Sequence, residues 1–496
     1  MLPRPSGMRL GKACCYEGAR FPSNTQASPL RSQQDTTPLS ASTGLAETTA
    51  LSRFFLDSDA YRPMSLDAIP KIAAPDEIHG LLGSQSDIDT VYLDYFSGTH
   101  RWLPILSQKE MYERACTTDL KLDAGFSLLV LSMKLSSTPI EMQDVHSSLY
   151  NAVTELSFSL ENNGLLSLDL IQSLILMSIY QVAHGLYPAG FMSVSRAARL
   201  ATLMGLHNRD KIQLYAKPNT WTGREGERRT WWAIMILDVF TNMKIPGLPP
   251  ATPPPGTTDL LPCTEDAWDS GQVASNQPVF VDHSPVDFSL GLFANTCQAA
   301  HLLGNVARHR DRNNTDPAID RRLYLSEAYQ IHLTLVSLGL HLSQICFVGD
   351  GDIEKSHFVA IALCCCARIT LYGIYGCNEN SSTGGTRIVE EISMQQASIE
   401  GLYEVVEDVS RLAESILRYA SVSDDARLCR LSPLFSHCLY LAISESAWFY
   451  REEKSVARAK QLQGIIEALR ALGRVWRTVD GYMALLEDEG SLMSHD

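Results

Sequence analysis

From Asp87 to Glu487 the apolar residues of this chain recur at steps of three and four, and strict alternation is rare. That period lines one side of an α-helix and cannot line one face of a strand, so the expected class is all-α. The stretch 227–240, ERRTWWAIMILDVF, shows the pattern at its sharpest. Trp232, Met235, Ile236, Val239, Phe240 and Met243 line one face, and Trp231, Ile234 and Leu237 widen it, so this helix should be buried on most sides. Asp238 then falls in apolar surroundings. A buried carboxylate needs a partner, and the expected ones are Arg228, Arg229 or an arginine from another helix.

The same spacing predicts helices over 87–97, 107–117, 123–136, 142–161, 167–184, 187–205 and 226–244. It predicts more over 289–309, 318–346, 355–375, 390–419, 432–451, 453–471 and 473–487. Breakers separate them: Thr138-Pro139, Asn162-Asn163-Gly164, Gly185, Gly205 and the run from Pro246 to Gly256. The segment 378–385, NENSSTGG, reads as a flexible loop. Residues 1–50 are rich in Ser, Thr, Pro, Gln and Ala and cannot bury enough surface to offset chain entropy. The expected organisation is a disordered linker over 1–86, a helical domain over 87–487 and a disordered tail over 488–496.

Of the 496 residues 45% are hydrophobic, ample for a large core, and the net charge is −15. An acidic body is unsuited to broad contact with phosphates, although a small basic module at one end could still bind DNA. The 12 cysteines include no CxxC pair and no apolar leader opens the chain, so reduced thiols in cytosol or nucleus are expected. The apolar run 165–183 is broken by Asp169, Gln172 and Gln181, which fits a buried helix better than a membrane span. No HExxH, GxSxG or Walker loop occurs, and no enzyme is expected.

Four islands stand in order along the chain. The first, 91–115, is VYLDYFSGTHRWLPILSQKEMYERA, with His100 and Pro104. The second, 193–210, is SVSRAARLATLMGLHNRD, with Gly205 and His207. The third joins the block holding Arg228, Arg229, Trp231, Trp232 and Asp238 to 263–269, CTEDAWD, with Trp268. The fourth pairs SPLFSHCLYLA at 432–442 with ALGRVWRTVDGYMALLE at 471–487, which holds Trp476. Together they resemble the regulatory, or middle homology, domain of fungal zinc-cluster transcription factors. The resemblance implies an all-helical regulatory domain, a nuclear location and control of a metabolic or secondary-metabolite gene set. It also implies contact with transcriptional machinery or coactivators, a possible homo- or heterodimer, a possible small-molecule effector and no membrane partner.

In that family a Zn₂Cys₆ cluster near the N-terminus binds DNA. Here only Cys14 and Cys15 precede Cys116, so six ligands cannot be assembled from this sequence. The stretch 8–20, MRLGKACCYEGAR, resembles the tail of such a cluster, with Cys14 or Cys15 as a remnant last ligand. The alternative is that the two cysteines fall there by chance. Zinc, and DNA contact through it, are therefore expected only where a complete N-terminal cluster is present. The family often places a coiled coil after the cluster, whereas residues 21–86 show no sustained heptads.

The remaining features carry two readings each. Cys364, Cys365 and Cys366 point in three directions on a helix, which favours core packing over a shared metal or reactive site with Cys377. His100 and His207 suit turns or caps. Asp259, Glu265, Asp266 and Asp269 read as a solvated acidic loop or, with Trp268, as an intramolecular or coactivator-docking surface. Arg228 and Arg229 could receive an anion near a helix start, but pairing with Asp238 or another core acid is the simpler expectation. Trp102, Trp231, Trp232 and Trp448 could line a ligand cavity or the core. A second overall reading is a ligand-responsive interaction module that does not itself bind DNA.

Overall fold

The computed structural model describes residues 51–59, 61–118, 120–138, 144–208, 213–256, 258–279, 290–315, 320–347, 353, 357–376 and 388–491. Cys14, Cys15, the stretch 8–20, Cys377, the loop 378–385 and the end of the tail lie outside them. Everything below concerns the contact unit that begins at Arg53.

Helix starts follow local chemistry. The helices are α1 Asp76–Leu82, α2 Gln85–Ser97, α3 Thr99–Trp102, α4 Gln108–Thr117, α5 Ala124–Ser137, α6 Ser148–Asn162, α7 Leu168–Ala183, α8 Ala189–Leu203 and α9 Trp221–Asn242. Ser84, Ser107, Asp123, Ser147, Ser167 and Thr220 each precede one of these and accept a backbone N–H three residues on. Ser84 and Asp87 complete a capping box. The second half holds α10 Glu265–Ser270, α11 Leu292–Thr315, α12 Arg321–Phe347, α13 His357–Tyr375, α14 Val389–Val422, α15 Asp425–Leu428, α16 Phe435–Glu453, α17 Val456–Leu472 and α18 Thr478–Asp488. Among the described residues the only β-pairing is two isolated bridges. The all-α expectation holds, and each long helix overlaps its sequence-based span, with ends displaced by up to six residues.

Two packing groups carry the core. In the first, α7 lies between α5 and α8, and α8 continues onto α9. In the second, α13 is wrapped by α11, α12, α14 and α16. The helix α13 is long and apolar enough to cross a membrane, yet it is the most enclosed element of the second group. Cys364, Cys365 and Cys366 sit on it, all buried, and burial pushes the Cys364 thiol up. Their burial fits the packing expectation for the triplet, while Cys377, the partner of the alternative, lies outside the described residues. The run 165–183 is likewise a buried helix, α7.

The expected boundary at 87 needs correction. Tyr61 donates its hydroxyl to the Leu214 carbonyl at 2.9 Å, and Met64 exchanges backbone bonds with Leu214 and Ala216. Lys134 of α5 donates to the Leu81 carbonyl at 2.9 Å. The linker expected over 1–86 is therefore held against the helices from Tyr61 onward. The sequence misses this because α1 is short, with only Ile78 and Leu82 buried, and because the stretch around Tyr61 and Met64 docks through hydrogen bonds to backbone groups.

Candidate functional site: a buried hub that joins the sequence islands

The helix α9 begins at Trp221, five residues before its expected start, and this extra turn supplies Glu225. Glu225, Arg228 and Arg229 then stand at i, i+3 and i+4, neighbours on one face of the helix. The side chains of Glu225 and Arg229 are fully buried. Arg229 donates from Nε to Glu225 Oε1 at 3.0 Å, from one terminal nitrogen to the Pro104 carbonyl at 3.3 Å and from the other to the Cys263 carbonyl at 2.7 Å. Its guanidinium carbon lies 4.9 Å from the Trp268 ring centre, a cation–π contact. Glu225 also accepts from Arg228, from the Cys263 amide at 2.8 Å and from Asn276 at 2.9 Å.

Burial alone would raise the Glu225 pKa. The Arg229 and Arg228 charges, aided by Cys263 and Asn276, outweigh it and leave the carboxyl below its ordinary range. The pair is therefore ionised and fully hydrogen-bonded, the condition under which a buried ion pair is tolerated.

The acidic segment is part of this hub. Trp268 donates its indole N–H to the Leu106 carbonyl at 3.1 Å, and Trp232 donates to the Leu260 carbonyl at 3.0 Å. Asp269 faces His100 at 3.3 Å. Burial lowers the His100 pKa, and Asp269 only partly opposes this. Glu265 accepts the Leu292 and Phe293 amides at 2.8 and 2.9 Å and so caps the start of α11. Asp259 accepts the Gly256 amide at 2.8 Å. The solvated-loop expectation fails for Glu265, whose two carboxylate oxygens both accept backbone amides, whereas Asp269 stays partly exposed with one oxygen facing His100.

Asp238 also departs from expectation. It takes no arginine. One carboxylate oxygen accepts from Asn242 at 2.8 Å, and the other accepts the Thr252 amide and hydroxyl at 2.7 Å each. The carboxylate thus pins the middle of the Pro-rich segment, at Thr252, to α9, while the arginines turn to Glu225, one helical turn before them.

The second island ends in a Schellman turn: Gly205 N–H meets Thr202 and Leu206 N–H meets Ala201. Gly205 has φ +77°, and a Cβ there would stand 2.1 Å from Gln213 Oε1. His207 follows the turn with its ring 6.1 Å from Trp231. Trp102, Trp231, Trp232 and Trp476 are all buried, and Trp476 lies 5.6 Å from the His184 ring. Trp448 is partly exposed and lies outside the hub. His100, Pro104, Arg228, Arg229, Trp232 and Trp268 therefore converge, whereas Gly205, His207, Asp238 and Trp476 act elsewhere. Glu225, Cys263 and Asn276 complete the hub without having been singled out. Only Glu225 left a legible sign, its spacing from the two arginines.

Among the described residues no group of three or more His, Cys, Asp or Glu could hold a metal ion. The hub ties its motif residues to the chain's own groups and so acts as a structural lock between distant segments. The chain belongs to the family of the fungal specific transcription factor domain, whose model matches residues 93–348, just over half of the chain. It is 32% identical over 178 residues to "Transcription factor BOA15" of Botryotinia fuckeliana, covering 36% of this chain and 98% of that protein. It is 26% identical to "Tropolone cluster transcription factor tropK" of Talaromyces stipitatus, covering 37% of this chain and 33% of the relative. It is 28% identical to "Pigment biosynthesis transcriptional activator pigB" of Monascus ruber, covering 36% of this chain and 34% of the relative. The chain thus spans nearly all of the first relative and about a third of the other two. No solved structure matches it. By family, the chain is a fungal transcription regulator.

Proposed function

We propose that the chain regulates, in the nucleus, the transcription of a set of genes for a secondary metabolite. The carrying observation is the family match over 93–348, the span that contains most of the hub. Relatives named for tropolone and pigment biosynthesis support the metabolic reading. The helical body is the regulatory part and works through transcriptional machinery or a paired protein, not through chemistry of its own. Zinc does not fit this sequence: two cysteines precede Cys116 where the family's cluster needs six. DNA contact in this reading comes from a complete cluster elsewhere in the full protein or from a partner that supplies one.

The test joins residues 53–496 to a heterologous DNA-binding domain above a reporter and, in parallel, deletes the gene in its own fungus and sequences the transcripts. A changed reporter output and a coordinated change in one block of biosynthetic transcripts are expected. An unchanged reporter together with an unchanged transcriptome would refute the proposal.

A further inference from the structure

Along α11, Gln298, His301, Leu302, Asn305, Arg308 and Arg312 recur at steps of three and four and share one side of the helix. Most of that side borders an open groove of about 1290 Å³ between α11 and α12. Leu302, Leu333, Leu338 and Ile345 give it an apolar wall, and Leu261 and Val279 of the acidic segment's flanks close one end. Asn305 and Ile331 also line a second cavity of about 700 Å³, which continues beneath the turn at Gly247–Pro250 and reaches Arg308. From Gln298 to Arg308 the helix rises about 15 Å. That length suits a small molecule with a distinct body and head.

Charge is graded along this path. Glu265 and Asp266 stand at the end nearer the hub, and Arg308 and Arg312 stand at the other. Two carboxylates also line the cationic end, but both are engaged. Glu327 pairs with Arg312 and meets His309 at 3.1 Å, and Asp311 pairs with Arg310 at 2.9 Å. Arg308 differs. Among the described residues no carboxylate pairs with it, and its hydrogen bond goes to the neutral Asn305 side chain. Burial, reinforced by Arg312, lowers its pKa, as a partly desolvated cation without a counter-charge requires. Burial also holds His301 and His357, which line the groove, at about 4, so they are neutral at pH 7 and add no second cationic pole.

We propose that the α11–α12 groove is an effector site for an amphipathic organic acid, its apolar body on the leucine wall and its carboxylate or enolate on Arg308. The proposal rests on the regulatory reading above and gives that reading its input. A neutral analogue loses the ionic contact, and an acid bound in reverse would meet Glu265 and Asp266.

The test titrates the full chain with 1-pyrenebutyrate and with the uncharged 1-pyrenebutanol, following pyrene fluorescence. The acid should bind tighter by roughly tenfold or more, as a charge-assisted hydrogen bond provides. Arg308→Gln should abolish the difference while leaving pyrenebutanol unchanged, and Arg308→Lys should keep part of it. Ser337→Trp, which places a bulky ring at an exposed position on the groove, should weaken both probes. Equal binding of acid and alcohol, an acid preference that survives Arg308→Gln, or no binding of either probe would overturn the proposal. Loss of the site would leave the reporter and transcript tests untouched, so the two readings fail separately.

Discussion

The hub around Arg229 and the groove ending at Arg308 each centre on a buried or half-buried arginine, and the two are solved in opposite ways. Arg229 has all three of its nitrogens bonded by its own chain, to Glu225 and the Pro104 and Cys263 carbonyls, with the Trp268 ring against the guanidinium. Arg308 has an amide for company and a cavity in front of it. A cation fully satisfied from within fixes structure and has nothing left to offer a ligand. A cation left short of charge costs stability and keeps an interaction in reserve. The same residue type, about eighty positions apart, marks a lock in one place and a receptor in the other.

This contrast predicts a ranked series of effects. Arg229→Leu should be the most damaging, since it leaves Glu225 charged, buried and held only by Arg228, Cys263 and Asn276. A loss of about 3–5 kcal/mol is expected in chemical denaturation, and a loss below 1 kcal/mol would mean that the hub is not a lock. Gly205→Ala comes next. A side chain at φ +77° facing Gln213 should cost about 1–3 kcal/mol, and relief of that cost by Gln213→Ala would confirm the clash as its source.

Acid should weaken the fold through its buried histidines. His184 is held at about 3, primarily by burial and secondarily by Arg477, and His301 and His357 are held at about 4. Their folded pKa values lie below the unfolded value of about 6.5, so the unfolded chain binds more protons between these limits. Stability should be fullest above pH 6.5 and fall as pH drops toward 4. Melting curves at pH 7.5 and 5.0 read this directly, and His184→Gln should flatten the dependence. A melting point that rises on acidification would contradict the assignment.

The smallest effect is expected at Arg308→Gln. Removing a charge that no carboxylate balances should change stability by about 0.5 kcal/mol or less, in either direction. A loss near that of Arg229→Leu would reveal a structural partner and erase the contrast.

The sequence carried most of the fold because helices declare themselves locally. Apolar spacing placed α9 and α13, while the Ser84 and Asp123 caps that fix where helices begin came from the structure. Site contacts were harder to read because they join residues far apart. Nothing near Asp269 points to His100, 169 positions away, and nothing near Arg229 points to the Pro104 carbonyl. Asp238 was correctly expected to need a partner, but backbone and hydroxyl donors at Thr252 serve a carboxylate as well as an arginine and leave no charge signature. The groove had no sequence sign at all, since it exists only through the separation of α11 from α12.

The reach of the hub also constrains how the protein can be made. Leu106 and Pro104 are bonded by Trp268 and Arg229, and Glu225 waits for Cys263 and Asn276. A ribosome must therefore deliver about 160 residues after Pro104, as far as Trp268, before that segment finds both of its permanent partners. Until then the early helices hold exposed apolar faces and a carboxylate without its full complement of donors, the state that chaperones recognise and proteases clear. A polypeptide cut at the Pro-rich run near residue 250 would be no half-sized domain but an arrested folding intermediate.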